Sequence, residues 1–160
     1  MATDEKTRLV QLLEETRRDT LIALEGVDDE MVVDPESGWR VKDIIGHLAA
    51  WDIEAVTALR AYGRGEVYLI PNYTTMDDFN ARHIEKRKAL LADQIRAEWE
   101  TAHHDLKIAL QEIPLDRFVV RMAYPWGGHG AISELVEIMA EHEREHCEDI
   151  AKAVRSGSGL

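Results

Sequence analysis

The sequence predicts an all-α, four-helix bundle, and three observations carry that expectation. Four long stretches have apolar residues recurring at spacings of three and four. The prolines Pro35, Pro71, Pro114 and Pro125 fall between those stretches, where they do not break a helix. One short segment, Phe118-Val119-Val120, reads as extended, and one extended piece makes no sheet. Four amphipathic helices in one chain bury their stripes only against each other. The 160 residues fit a single domain. It is expected over residues 1–154, with 155–160 a flexible tail.

The first helix is expected over 3–25. Leu9, Leu12, Leu13, Thr16, Thr20, Ala23, Leu24 and Val27 make one apolar stripe, and Gly26 supplies the stop. Residues 28–38 are polar, contain Pro35 and read as a loop. The second helix spans 41–62. Trp39 and Ile44 stand at the spacing of a hydrophobic staple, and Asp43 in the first turn suits the helix dipole. Arg40 at the N-cap is a poor capping residue. Gly63 and Gly65 end the helix.

Residues 64–80 form a long connection. Fully extended it covers about 50 Å at ~3.3 Å per residue, more than the ~33 Å length of a helix of about 22 residues. The connection can therefore return along the bundle, so that the second and third helices run parallel. The order becomes up-down-down-up with a long crossover between helices two and three. The third helix spans 81–112, with Ile84, Leu91, Ile95, Trp99, Ala102, Leu106, Ala109, Leu110 and Ile113 as its core stripe. Residues 114–130 are irregular. Trp126-Gly127-Gly128-His129-Gly130 then leads into a fourth helix over 131–154.

Composition excludes several classes of function. Acidic residues number 31 and basic residues 19, a formal charge of −12. That argues against nucleic acid or an anionic membrane as partner, because phosphate neutralisation needs a surplus of Lys and Arg. No apolar run is long enough to span a bilayer. No apolar segment follows Met1, so no secretory signal is expected. Cys147 is the only cysteine, which rules out an intramolecular disulfide and makes the cytoplasm the expected compartment.

The informative residues are histidines on core-facing stripes. In the fourth helix the row Ile132, Leu135, Val136, Met139 continues to His142 and His146. Four residues apart, the two imidazoles share one side of the helix. In the second helix the row Ile44, His47, Trp51, Glu54 puts His47 on or beside the buried stripe, next to Gly46, which permits close helix approach. Three neutral imidazoles converging on one point suit Zn²⁺, Ni²⁺ or Fe²⁺ and leave coordination positions for water or substrate. The expectation is one divalent ion held by His47, His142 and His146 at about 2.0–2.2 Å, with binding weakened below about pH 6, where imidazole ordinarily protonates. Glu54, Glu143 and Asp149 are the candidate acids and bases, and Asp149 stands three residues from His146, where it can orient a ring.

His142-Glu143-Arg144-Glu145-His146 also matches the zinc-protease pattern H-E-x-x-H. Glutamates crowd this stretch, so the match is cheap. The extended pattern requires a glycine and a third histidine where Asp149 and Lys152 stand. His129 reads as a solvated loop residue, Cys147 as a packed thiol and Trp51 as core or pocket wall.

Trp39-Arg40-Val41-Lys42-Asp43-Ile44-Ile45-Gly46-His47-Leu48 resembles the second-helix signature of the DinB-like superfamily. Asp78-Phe79-Asn80-Ala81 and the closing H-x-x-x-H with Cys147-Glu148-Asp149-Ile150 fit the same pattern. The resemblance implies a four-helix bundle, a divalent metal at His47, His142 and His146, and a homodimer. It also implies a kinship with bacillithiol- and mycothiol-dependent transferases and isomerases. A subgroup related to colibactin self-resistance proteins shares the Trp-Asp and Phe-Asn features, and likeness to it implies a metal-free hydrolase. Three readings follow: a metal-dependent and thiol-dependent transferase, isomerase or hydrolase on a small molecule; the metal-free hydrolase; and a non-catalytic small-molecule-binding stress protein. For the dimer, the residue-level support is apolar side chains off the main stripes: Val10, Leu21, Ile22, Ile45 and Val56.

Overall fold

The computed structural model describes residues 1–157. In chain order the elements are α1 (Ala2–Ala23), β1 (Val32–Asp34), β2 (Trp39–Arg40), α2 (Val41–Gly63), α3 (Met76–Arg87), α4 (Ala92–Glu112), α5 (Leu115–Phe118), β3 (Met122–Ala123), β4 (His129–Gly130) and α6 (Ile132–Gly157). Four long helices, α1, α2, α4 and α6, form the bundle. Among the described residues the strands make only two antiparallel pairs, β1–β2 and β3–β4. No helix among these residues is long and apolar enough to cross a membrane.

Side-chain pairings give the direction of each helix. Arg8 reaches Glu137 and Arg17 reaches Glu143, so α1 and α6 run the same way. Gly46 lies against Ile95 near the starts of α2 and α4, and Arg60 pairs with Asp105 toward their far ends, so these two are also parallel. Lys6 donates to the carbonyls of Gln111 and Ile113, whereas Arg17 stacks over Trp99; α1 and α4 are therefore antiparallel. The order is the expected up-down-down-up.

Five local expectations are corrected. The third expected helix is two helices, because residues 88–91 break it. Leu91 becomes a new N-cap whose N–H donates to Gln94 Oε1 at 2.8 Å. Ile84 and Leu91 are seven residues apart, so the apolar phase continues across the break and periodicity misses it. The connection is correspondingly shorter: α3 starts at Met76, where Thr75 Oγ1 accepts from the Asp78 N–H. Residues 28–38 are not all loop, since Val32 pairs with Arg40 in a hairpin. Phe118 is helical, because the Pro114 carbonyl accepts from the Arg117 and Phe118 N–H groups; the extended pair lies instead at β3–β4. The expected tail is helical through Gly157. The rest of that expectation, 158–160, lies outside the described residues.

Arg40 is the N-cap of α2 despite its chemistry. The Asp43 carboxylate accepts from the Arg40 backbone N–H at 2.9 Å and from its Nε at 3.2 Å, completing the cap from inside the helix. Trp39 packs on the cluster containing Ile44, as the staple spacing requires. Of the apolar residues off the stripes, Ile45 and Val56 are core, while Leu21 and Ile22 stay exposed on α1.

The bundle centre is polar. Arg17 is buried and donates to both Glu143 carboxylate oxygens, with its Nη2 at 2.9 Å from Oε1. Its guanidinium carbon lies 3.6 Å from the Trp99 ring centroid. Thr20 donates to Glu143 at 2.9 Å, and Asp52 approaches Arg17 at 3.9 Å. Burial, aided by the Glu143 charge and opposed by Arg17, pushes the Asp52 carboxyl up to about 8.

Removing one partner of a buried ion pair strands the other charge. Arg17→Ala should therefore cost about 3–5 kcal/mol in urea unfolding. Asp52 binds its proton more tightly folded than unfolded, so its stabilisation is complete below about pH 4 and declines as pH rises toward 8. Asp52→Asn should gain stability relative to the parent between pH 5 and pH 8, read from paired melts.

Candidate metal centre

His47 lies in the second turn of α2, after the buried Val41, Ile44 and Ile45, and is 5% exposed. His142 and His146 lie one turn apart on α6. The antiparallel packing of α2 and α6 brings the three rings together. One ligand nitrogen from each lies within 4.8 Å of the others. His47 Nε2 and His142 Nε2 are 2.8 Å apart, and ring centroids are separated by 4.7–4.9 Å. Nitrogens that each sit about 2.1 Å from one ion are about 3–4 Å apart, the scale of this cluster.

The electrostatics favour lone pairs over protons. Burial, followed by repulsion from the other two rings, pushes His47 down to about 2. Burial and His146 push His142 down to about 4. Burial lowers His146 as well, against the pull of Asp149 and Glu145. All three are neutral near pH 7, the form in which imidazole ligates a metal.

A second layer of residues holds the rings. Asn80 Oδ1 accepts from Trp51 Nε1 at 2.9 Å, and the Asn80 side chain stands close enough to His47 to act on its ring. Phe79 stacks on Trp51 at 4.2 Å, and His83 stacks on Phe79 at 4.1 Å. Trp39 covers His47 at 5.1 Å. Asp149 Oδ2 comes within 3.5 Å of His146 Nδ1, near a hydrogen bond without making one; the nitrogen is buried and has no hydrogen-bond partner.

The rings form the floor of a cavity of about 560 Å³ walled by Trp39, Trp51, Trp126, Ile138 and Met139. Glu141 and Glu145 also line it. A wider groove of about 990 Å³ adjoins it and shares Trp39, Asn80 and His146; the β1–β2 hairpin and the end of α6 bound that groove.

The expected acids fare differently. Glu54 accepts from the Tyr68 hydroxyl at 2.6 Å and does not line the cavity. Glu143 is buried against Arg17 and Thr20, one residue round α6 from His142, so it is not the water-activating glutamate of H-E-x-x-H. Asp149 lines the wider groove. Cys147 is half-buried, and burial pushes its thiol up, as a packed thiol should. His129 is exposed. Sequence reasoning missed Glu141 and Glu145 as cavity residues. The signal was available: Glu141 and Glu145 are spaced four apart, each adjacent to a site histidine.

Histidines with lowered values resist protonation in the folded state only. Their stabilisation is present above the unfolded imidazole value of about 6.5 and is lost as pH falls toward 4 and below. Metal-free protein should lose melting temperature over that window. Replacing the three histidines together with glutamine should flatten the loss, read from paired thermal melts.

No curated protein matches this chain. The crystal structure of an uncharacterised protein from Escherichia coli UTI89 is similar, with a TM-score of 0.79 and 13% identity, covering 96% of this chain and 94% of that one. The crystal structure of the mycothiol-dependent maleylpyruvate isomerase is similar with a TM-score of 0.74 and 19% identity, over 91% of this chain and 60% of that one. A mutant of that isomerase gives a TM-score of 0.73 at 18% identity. This chain thus spans about three-fifths of the isomerase's length. The model of the DinB superfamily matches residues 12–150, a span that holds α2, the histidine pair of α6 and the core between them, and the chain belongs to that superfamily.

Proposed function

We propose that this protein binds one divalent transition metal, Zn²⁺, Ni²⁺ or Fe²⁺, through His47, His142 and His146, and acts on a small molecule with a low-molecular-weight thiol as co-substrate. The observation that carries the reading is the convergence of three neutral ring nitrogens on the floor of an aromatic cavity. His47 Nε2 and His142 Nε2 at 2.8 Å can share one proton as a hydrogen bond; a cation in its place uses both lone pairs. Three protein ligands leave open positions, as catalytic rather than structural sites do. A divalent ion there would act as a Lewis acid and lower the pKa of a bound water or thiol.

The chain's own residues prepare the site. Asn80 stands beside the His47 ring, placed to orient it, and Trp51 is fixed by Asn80 and Phe79. Trp39, Trp51 and Trp126 give the cavity apolar walls beside the three rings. Thiol dependence is supported by the fold shared with the mycothiol-dependent isomerase. A second reading, a small-molecule-binding protein without turnover, is favoured by one observation: Glu54 and Glu143 are both engaged away from the cavity. Turnover with bacillithiol or mycothiol separates the two.

Elemental analysis of protein purified without an affinity tag should find about one divalent ion per chain. Asn80→Ala should weaken zinc binding by about 10- to 100-fold, the usual cost of losing a group that orients a ligand. His146→Ala should weaken it further, while the exposed His104→Ala leaves it unchanged, all with parental circular dichroism. Because burial holds the rings neutral below the ordinary imidazole range, zinc should stay bound at pH 5, lower than the pH 6 limit read from an unperturbed imidazole. Calorimetry at pH 7 and pH 5 checks both.

A further inference from the structure

The cavity and the groove beside it share an electrostatic character that the metal reading does not use. Glu141 and Glu145 line the cavity, and among the described residues no Lys or Arg does. Among the described residues the adjoining groove carries Asp34, Asp77 and Asp149 against one cation, Lys152. Five carboxylates therefore face one ammonium around a connected space. Arg144 binds Glu141 at 2.6 Å from outside the cavity. Glu145 is exposed on the next turn, close enough to His146 to act on its ring. An anionic ligand body entering here meets carboxylates with no guanidinium to receive it.

The walls are aromatic and held in place. Trp51 and Trp126 stand 6.0 Å apart, edge to face at 73°. The Trp51 indole is pinned at its nitrogen by Asn80 and on its ring by Phe79. Trp126 is braced by Tyr124 at 5.3 Å. Indole faces attract cations through the ring quadrupole, and pre-set aromatic walls bind planar apolar groups without ordering cost.

We propose that this cavity selects a cationic aromatic ligand: a planar apolar ring seated against Trp51 and Trp126, with an ammonium group directed to Glu145 and Glu141. The inference rests on the reading of the cavity as the substrate site and names the class of that substrate. The same charges disfavour a carboxylate as the group carried by the ring seated against Trp51 and Trp126.

Three probes of equal ring and similar chain length test it: 2-phenylethylammonium, 3-phenylpropanol and 3-phenylpropionate. Binding is read by intrinsic fluorescence on the full chain after dialysis against a chelator, so the metal plays no part. Three of the four tryptophans line the cavity, and the fourth, Trp99, is fully buried in the core. The ammonium should bind about tenfold more tightly than the carboxylate, with the alcohol between. Glu145→Gln, a surface change that leaves the bundle intact, should shrink the ammonium's advantage over the carboxylate from about tenfold to less than about threefold, equivalent to ~0.65 kcal/mol. Trp126→Ala should weaken all three probes. Equal or tighter binding of the carboxylate, an unchanged ammonium preference in Glu145→Gln, or no binding of any probe overturns the proposal. Zinc binding is scored separately on the same preparation. Its failure with ammonium selectivity intact removes the metal reading alone, and the converse result removes this inference alone.

Discussion

Parallel neighbouring helices cannot be joined by a tight turn, and that constraint organises this protein. Helices α2 and α4 run in the same direction, with Gly46 against Ile95 at one end and Arg60 near Asp105 at the other. The chain must therefore travel back along the bundle between them. It does so as an extended segment followed by α3. On the way Tyr68 meets Glu54, Ile70 donates its N–H to the Pro125 carbonyl, and Phe79 packs on Trp51. The return path becomes the cover of the histidine cluster. Asn80, which touches both His47 and Trp51, belongs to that path rather than to the bundle proper. A Cβ at Gly46 would lie 3.1 Å from Arg87 Cδ, so a side chain there would have to displace the Arg87 side chain by a few tenths of an ångström.

Helix α6 serves two interiors at once. His142 and His146 face the aromatic cavity, while Glu143 faces the buried Arg17 between α1 and α4. Neighbouring residues on a helix point about 100° apart, so one turn of α6 borders both. The ion pair fixes α6 against α1 through a bidentate contact, which constrains rotation of α6 about its own axis. The same rotation sets where the two imidazoles point. The charge pair in the core and the neutral rings in the cavity are thus joined by one rigid element. This relation explains why an H-E-x-x-H match occurs without the protease geometry: its glutamate is committed to Arg17 and Thr20 in the bundle interior.

Much of the fold was legible because it rests on periodicity. The stripes of Leu9 to Leu24, Ile95 to Ile113 and Ile132 to Met139 name the core faces, and those residues are largely buried. The length of the second connection sufficed to give the parallel pair. The break at 88–91 was hidden because seven residues between Ile84 and Leu91 preserve helical phase. The small hairpins were hidden because two- and three-residue strands carry no alternation to detect. For the site, His142 and His146 were readable as a pair since their spacing on one helix fixes their relation. His47 was readable only as a core-facing histidine.

The sequence by itself determined four amphipathic helices, their order, the inward position of three histidines and a surplus of negative charge. These are properties of local spacing and composition, which no distant residue alters. Tertiary structure decided that His47 meets His142 at 2.8 Å, that Asn80 holds the Trp51 indole beside His47, and that Glu143 turns to Arg17. It also gathered Trp39, Trp51 and Trp126 from three separate parts of the chain into one wall. Each of these depends on the axial level at which two helices cross and on the route of a connection. Both are set by how side chains interlock across elements, and a one-dimensional period fixes the face of a helix but not its height against a neighbour.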